Sequence, residues 1–120
     1  MATALHALLS LPSVRLAPFT TPVQEMTRLR QALGPACPRL LIKRDDLLAF
    51  GAGGNKVRKM QTVAAEAVAG KYDSLITCGG VQSNHARVTA ATGAALGLRV
   101  VLVANGAKPQ TLTGLSLIHI

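Results

Sequence analysis

A lysine stands directly behind two glycines and an asparagine in the stretch GAGGNKVRK, residues 51–59. Glycine lets the backbone approach a ligand closely and adopt conformations other residues avoid. Lys56 in that setting has three readings: a phosphate ligand, a covalent anchor, or a solvated surface charge, which is the ordinary fate of lysine. Asn55 suits a helix cap. Lys56 would then open a helix, where positive charge is mildly unfavourable. Partial burial and the adjacent cations Arg58 and Lys59 would favour its neutral amine. A neutral amine attacks carbonyl carbons to form a Schiff base.

A second stretch, GGVQSNHAR, residues 79–87, has the same layout of glycines entering a helix. In open α/β sheets ligands gather beyond the carboxyl ends of the strands. Helix N-termini there offer unpaired N–H groups to anions. Ser83 and Asn84 are good caps, so their plainest role is to start the helix. The well-known glycine motifs do not fit. GAGGNK lacks P-loop spacing and has no Ser or Thr after its lysine. CGGVQSNH lacks the glycine spacing of the dinucleotide fingerprint. His6, His85 and His119 lie far apart and bring no accompanying metal ligands. Cys78, at a strand end, reads as a small buried filler.

The elements that must hold these residues follow from local signals. TPVQEMTRLRQALG, residues 21–34, reads as a helix: Thr21 as cap, Pro22 in the first turn, Gln24 completing a capping box, Gly34 as stop. Residues 40–43 read as a short strand, and LLAFGAGG as a turn approaching the lysine. From 56 to 69, Val57, Met60, Val63, Ala64, Ala67 and Val68 fall at helical spacing, with Gly70 as stop. SLITCGG reads as a buried strand, SNHARVTAATGAALG as a helix closed by Gly97, and RVVLVA as a second buried strand. Strand, helix and strand make a βαβ unit with an expected right-handed crossover. Residues 1–20 show no strong period, and no internal repeat is visible.

At 120 residues the chain makes one modest domain. Phe19, Phe50 and Tyr72 are its only aromatics, so the core must be aliphatic, which favours tight α/β packing. The net charge of +8 invites a nucleic-acid partner. The cations are scattered, however, and there is little aromatic surface to stack on bases. An anionic small ligand suits the charge better. No apolar run reaches membrane-span length. MATALHALLSLP lacks the basic start and cleavage pattern of an export signal. Two cysteines without a paired framework suit a reducing compartment, so the expected location is the cytoplasm. The closing LSLIHI is apolar to its last residue, which suggests a truncated chain with a foreign tail.

KRDD, GGNKVRK and GGVQSNHARVTAATGAALGL together resemble one family closely. It is the pyridoxal-phosphate enzymes that include D-cysteine desulfhydrase and 1-aminocyclopropane-1-carboxylate deaminase. The resemblance covers residues 11–106, leaving 1–10 as an extension and 107–120 as the tail. It implies an α/β fold of the tryptophan synthase β-like class (pyridoxal-phosphate fold type II), here incomplete. By resemblance, Lys56 tethers pyridoxal 5'-phosphate and serves as general base. Asn84 bonds the cofactor's phenolic oxygen, and Asn55 and Lys59 lie beside the cofactor. Ser83, with Asn84 and His85, meets the carboxylate of a small amino-acid substrate, and Ser83 is a candidate catalytic group. His85 resembles the desulfhydrase form, since deaminase-type sequences more often carry glutamine there. The resemblance therefore implies D-cysteine desulfhydrase, with the ring-opening deaminase or L-cysteate sulfo-lyase as alternatives. Family chains are much longer, so the complete protein is expected to be a homodimer and this chain alone inactive. A non-catalytic basic module binding a polyanion is the alternative from another class.

Overall fold

Strand β1 (Val23–Glu25) runs antiparallel to β2 (Leu41–Lys43), with Val23 opposite Lys43 and Glu25 opposite Leu41. Strand β3 (Ser74–Gly80) runs parallel to β4 (Arg99–Asn105), with Ser74 opposite Arg99 and Gly80 opposite Asn105. Helices α1 (Ala2–Leu9), α2 (Thr27–Leu33), α3 (Lys56–Ala69) and α4 (Asn84–Leu96) complete the regular elements. The computed structural model describes residues 2–18 and 20–106. The suggested tail at 107–120 lies outside the described residues.

The β3–α4–β4 unit is the predicted one. Ser83 caps α4, its Oγ accepting from the Ala86 N–H at 3.2 Å. Gly97 closes the helix in the left-handed conformation, φ 69°. Gly93 lets α4 lie close on β4: a Cβ there would sit 2.1 Å from Val100 Cγ2. The core joins α3, α4 and β3 through Val57, Met60, Ala67, Leu75 and Val88.

The strands pair as expected, but they are not buried as expected. Leu75 is buried, whereas Ile76 is 75% exposed and Val101, Leu102 and Val103 all face solvent. Successive strand side chains point to opposite faces. The described helices cover one face of β3, leaving Ile76 and Cys78 open on the other, and beyond Val100 they leave both faces of β4 exposed. Cys78 is exposed for the same reason, which corrects its reading as a buried filler.

Three further expectations change. Residues 21–26 do not join a helix; they supply β1, and α2 starts only at Thr27. Pairing with β2 outweighs the local capping signal, because Thr21 donates instead to Asp45 Oδ1 (2.8 Å) and Gln24 Oε1 accepts from Arg44. Residues 2–9, without a strong period, form α1. On α3 the buried stripe is rotated from the predicted one. Gln61 and Ala65 are buried, while Val63 and Val68 are exposed. Gln61 causes the rotation. Its Oε1 accepts from the Leu16 and Ala17 N–H groups, each at 3.2 Å, and its carbonyl accepts from Val14 N–H at 2.9 Å. These bonds strap the N-terminal segment over that flank.

Candidate active site

Lys56 is the first residue of α3 and is half-buried. The chain reaches it through two single 3₁₀ turns, Asp45–Leu47 and Phe50–Ala52. Gly53 and Gly54 follow with φ of +82° and +95°, a region that disfavours side chains. A Cβ on Gly53 would lie 2.9 Å from the Leu48 carbonyl oxygen. A Cβ on Gly54 would meet nothing within 4 Å, so that glycine faces open space beside the lysine. Asn55 has helical backbone angles and makes no side-chain cap, which corrects its reading as a cap. Its side chain is exposed.

The three cations of this stretch do not act as one cluster. Arg58 turns to Asp45 and Thr21, whose oxygens lie 2.7 to 3.0 Å from its guanidinium. The Lys56 side chain makes no hydrogen bond or ion pair among the described residues. Lys59, one turn on, is exposed and lines a cavity of about 160 Å³ with Met60, Leu75, Thr77, His85 and Thr89.

His85 shares that cavity with Lys59. Burial, then the charges of Lys59 and Lys56, hold its imidazole pKa below the ordinary value. Its Nδ1 is buried without a partner among the described residues. His85 is thus a neutral, half-buried side chain beside the Lys59 cavity, rather than a plain surface residue.

Ser83 and Asn84 sit where β3 gives way to α4. Gly79 permits the tight return, since a Cβ there would be 3.0 Å from Ser83 Oγ. The Ser83 N–H closes the turn on the Gly80 carbonyl at 3.0 Å. Asn84 Oδ1 accepts from Arg87 Nη2 at 2.9 Å. The same nitrogen reaches the Gly53 carbonyl at 3.5 Å, so one guanidinium links the two glycine-led segments. Of the residues singled out from the sequence, Lys59 and His85 share a cavity, Ser83 and Asn84 open α4, and Arg87 ties Asn84 to the glycine segment that leads to Lys56. Arg87 was not singled out. Its signal was present as a cation three positions after Asn84 on one helix, a spacing at which side chains meet.

Residues 14–116 match the family model described as pyridoxal-phosphate dependent enzyme, and the chain belongs to that family. Its fold is α/β of the tryptophan synthase β-like type, as the resemblance implied. The structure superimposes on the crystal structure of a 1-aminocyclopropane-1-carboxylate deaminase homologue with a TM-score of 0.78 and 38% identity, over 94% of this chain and 33% of that one. A Pyrococcus abyssi protein, provisionally named 1-aminocyclopropane-1-carboxylate deaminase, is 44% identical over 101 residues, covering 83% of this chain and 30% of that protein. The D-cysteine desulfhydrase of Yersinia enterocolitica is 42% identical over 99 residues, covering 82% of this chain and 29% of that protein. The chain thus spans about three-tenths of the length of these curated relatives.

The residues present fit the family's cofactor. Lys56 offers an uncommitted amine, and open space lies beside Gly54. Lys56 and Lys59 supply positive charge toward an anionic group. With Asn84 Oδ1 taken by Arg87, its amide N–H groups remain for an acceptor such as a phenolic oxygen.

Proposed function

We propose that this chain is the cofactor-tethering part of a lyase acting on a small amino acid, with D-cysteine as substrate and pyruvate, sulfide and ammonia as products. The uncommitted side chain of half-buried Lys56, opening α3 behind two positive-φ glycines, is the observation that carries this reading. When bound, pyridoxal phosphate serves as an electron sink for charge developing at the substrate Cα.

The roles of the chain's own residues follow from their chemistry. Lys56 holds the cofactor covalently through Nζ and, once displaced by substrate, takes the Cα proton as general base. Asn84 donates its amide N–H to the cofactor's phenolic oxygen. Lys59 places a positive charge near the cofactor, and Asn55 lies at its edge. Ser83, at the positive end of α4, receives the substrate carboxylate with neighbouring N–H groups. Its hydroxyl, which also caps α4, is a candidate for proton transfer. His85 borders the substrate as an uncharged donor or acceptor. Loss of the β-sulfur, with one water consumed, yields pyruvate, sulfide and ammonia.

A ring-opening deaminase is the second reading, favoured by the likeness to proteins bearing that name. L-cysteate sulfo-lyase is a third substrate choice for the same residues. We further propose that the complete protein works as a homodimer in the cytoplasm, where the free thiols Cys37 and Cys78 stay reduced.

Borohydride reduction of the complete protein, followed by peptide mapping, tests the tether. A pyridoxyl adduct on Lys56 is expected, and an adduct on another lysine would overturn the assignment. D-cysteine, L-cysteate and the cyclopropane amino acid, offered separately, should give sulfide, sulfite or 2-oxobutyrate. Sulfide alone is expected, and 2-oxobutyrate alone would move the assignment to the deaminase.

A further inference from the structure

Arg87 spends one guanidinium nitrogen on two acceptors, Asn84 Oδ1 at 2.9 Å and the Gly53 carbonyl at 3.5 Å. Its Nε and Nη1 are buried and have no partner among the described residues. Unmet buried donors are costly, by about 1–3 kcal/mol for each group. A leucine there would leave no donor unmet, but it would also take from Asn84 Oδ1 and the Gly53 carbonyl the donor they share. The bond Arg87 does make has a chemical consequence. Arginine only donates, so the Asn84 atom facing it must be the amide oxygen. The amide is planar, so pinning Oδ1 turns Nδ2 and its two N–H groups the other way.

We propose, on the basis of the cofactor contact assigned to Asn84 above, that Arg87 is a positioning residue. It fixes Asn84 as an obligate donor to the cofactor's phenolic oxygen and holds the Gly53 segment in step with α4. A fixed donor stabilises the anionic form of that oxygen. Without Arg87 the amide turns freely, the anion loses this support, and the proton is held to higher pH.

The pH midpoint of the visible cofactor band in the complete, cofactor-loaded protein reads this directly. Arg87→Leu is expected to raise the midpoint by about one to two units, the scale of one hydrogen bond to a charged group. Asn84→Ala should raise it in the same direction. The double variant should move no further than Asn84→Ala alone, because Arg87 acts through Asn84. A shift that persists in full on the Asn84→Ala background would mean that Arg87 acts by charge alone, and would overturn the proposal. So would a wild-type midpoint in Arg87→Leu beside a shifted one in Asn84→Ala. An unchanged midpoint in Asn84→Ala would overturn the cofactor contact itself, and the role of Arg87 with it. If Arg87→Leu does not fold, Arg87→Lys keeps the charge but offers only a point donor. It should show a smaller upward shift, and a wild-type midpoint there would overturn the proposal.

Discussion

Arg58 grips both carboxylate oxygens of Asp45, Nε to Oδ2 at 2.9 Å and Nη2 to Oδ1 at 2.7 Å. Thr21 joins them, donating to Asp45 Oδ1 at 2.8 Å and accepting from Arg58 Nη2 at 3.0 Å. The backbone carbonyl of Asp45 meanwhile accepts from the Gly54 N–H at 3.0 Å. One residue thus anchors the start of the turn region to α3 by its side chain and the end of it by its backbone. Lys56 is delivered between these two anchors.

The Arg58 hydrogen bond, chiefly, draws the Asp45 carboxyl down from the ordinary 3.8 to about 2. A carboxyl depressed on folding stabilises the fold above its unfolded pKa, and that contribution fades as pH falls from about 4 toward 2. Asp45→Asn should therefore lower stability at neutral pH by about 1 kcal/mol, the scale of a partly exposed ion pair in a network. It should also flatten the acid limb of the stability curve. Urea melts of the complete protein at pH 7 and pH 3 check both, and equal losses at the two pH values would contradict the linkage.

His85 acts in the opposite pH range. Its pKa is lowered on folding by burial and by Lys59 and Lys56, so the unfolded chain binds its proton more readily. Stability from a neutral His85 is fully present above the unfolded pKa of about 6.5 and is lost as pH falls below it. His85→Gln should remove this loss, so thermal melts between pH 7.5 and 5 should decline less than those of the parent protein. A steeper decline would contradict the sign.

Lys56→Ala separates chemistry from folding. The Lys56 side chain has no hydrogen-bond or ion-pair partner among the described residues, so the melting temperature of the cofactor-free protein should hardly move. Turnover should fall by about 10³-fold or more, since the same change removes both the tether and the general base. Full turnover in this variant would remove the basis of the proposed function.

Gly93→Ala tests the contact between α4 and β4. Alanine is the better helix former by about 1 kcal/mol. Here its methyl would lie 2.1 Å from Val100 Cγ2 and 2.9 Å from the Leu98 carbonyl oxygen. Overpacking should outweigh propensity and leave the variant less stable by about 1–3 kcal/mol. A stabilised variant would show that β4 yields easily.

The sequence by itself determined α3, α4 and the strands around α4, because their signals are local. Helical spacing runs unbroken from Val57 to Ala67, Ser83 caps, and Gly70 and Gly97 stop their helices. The glycine-led entries of Lys56 and Asn84 were legible for the same reason, and family resemblance supplied their chemistry. Tertiary structure decided what depends on a distant partner. Residues 23–25 became a strand because β2 lies beside them, against a capping signal that favoured helix. Gln61 is buried because the N-terminal segment needs its oxygen. Arg58 and Arg87 look alike in sequence as cations near a glycine loop, yet one locks to a carboxylate and the other to an amide and a carbonyl. A long side chain reaches several neighbours from one backbone position, and only the fold decides which acceptor stands at its end.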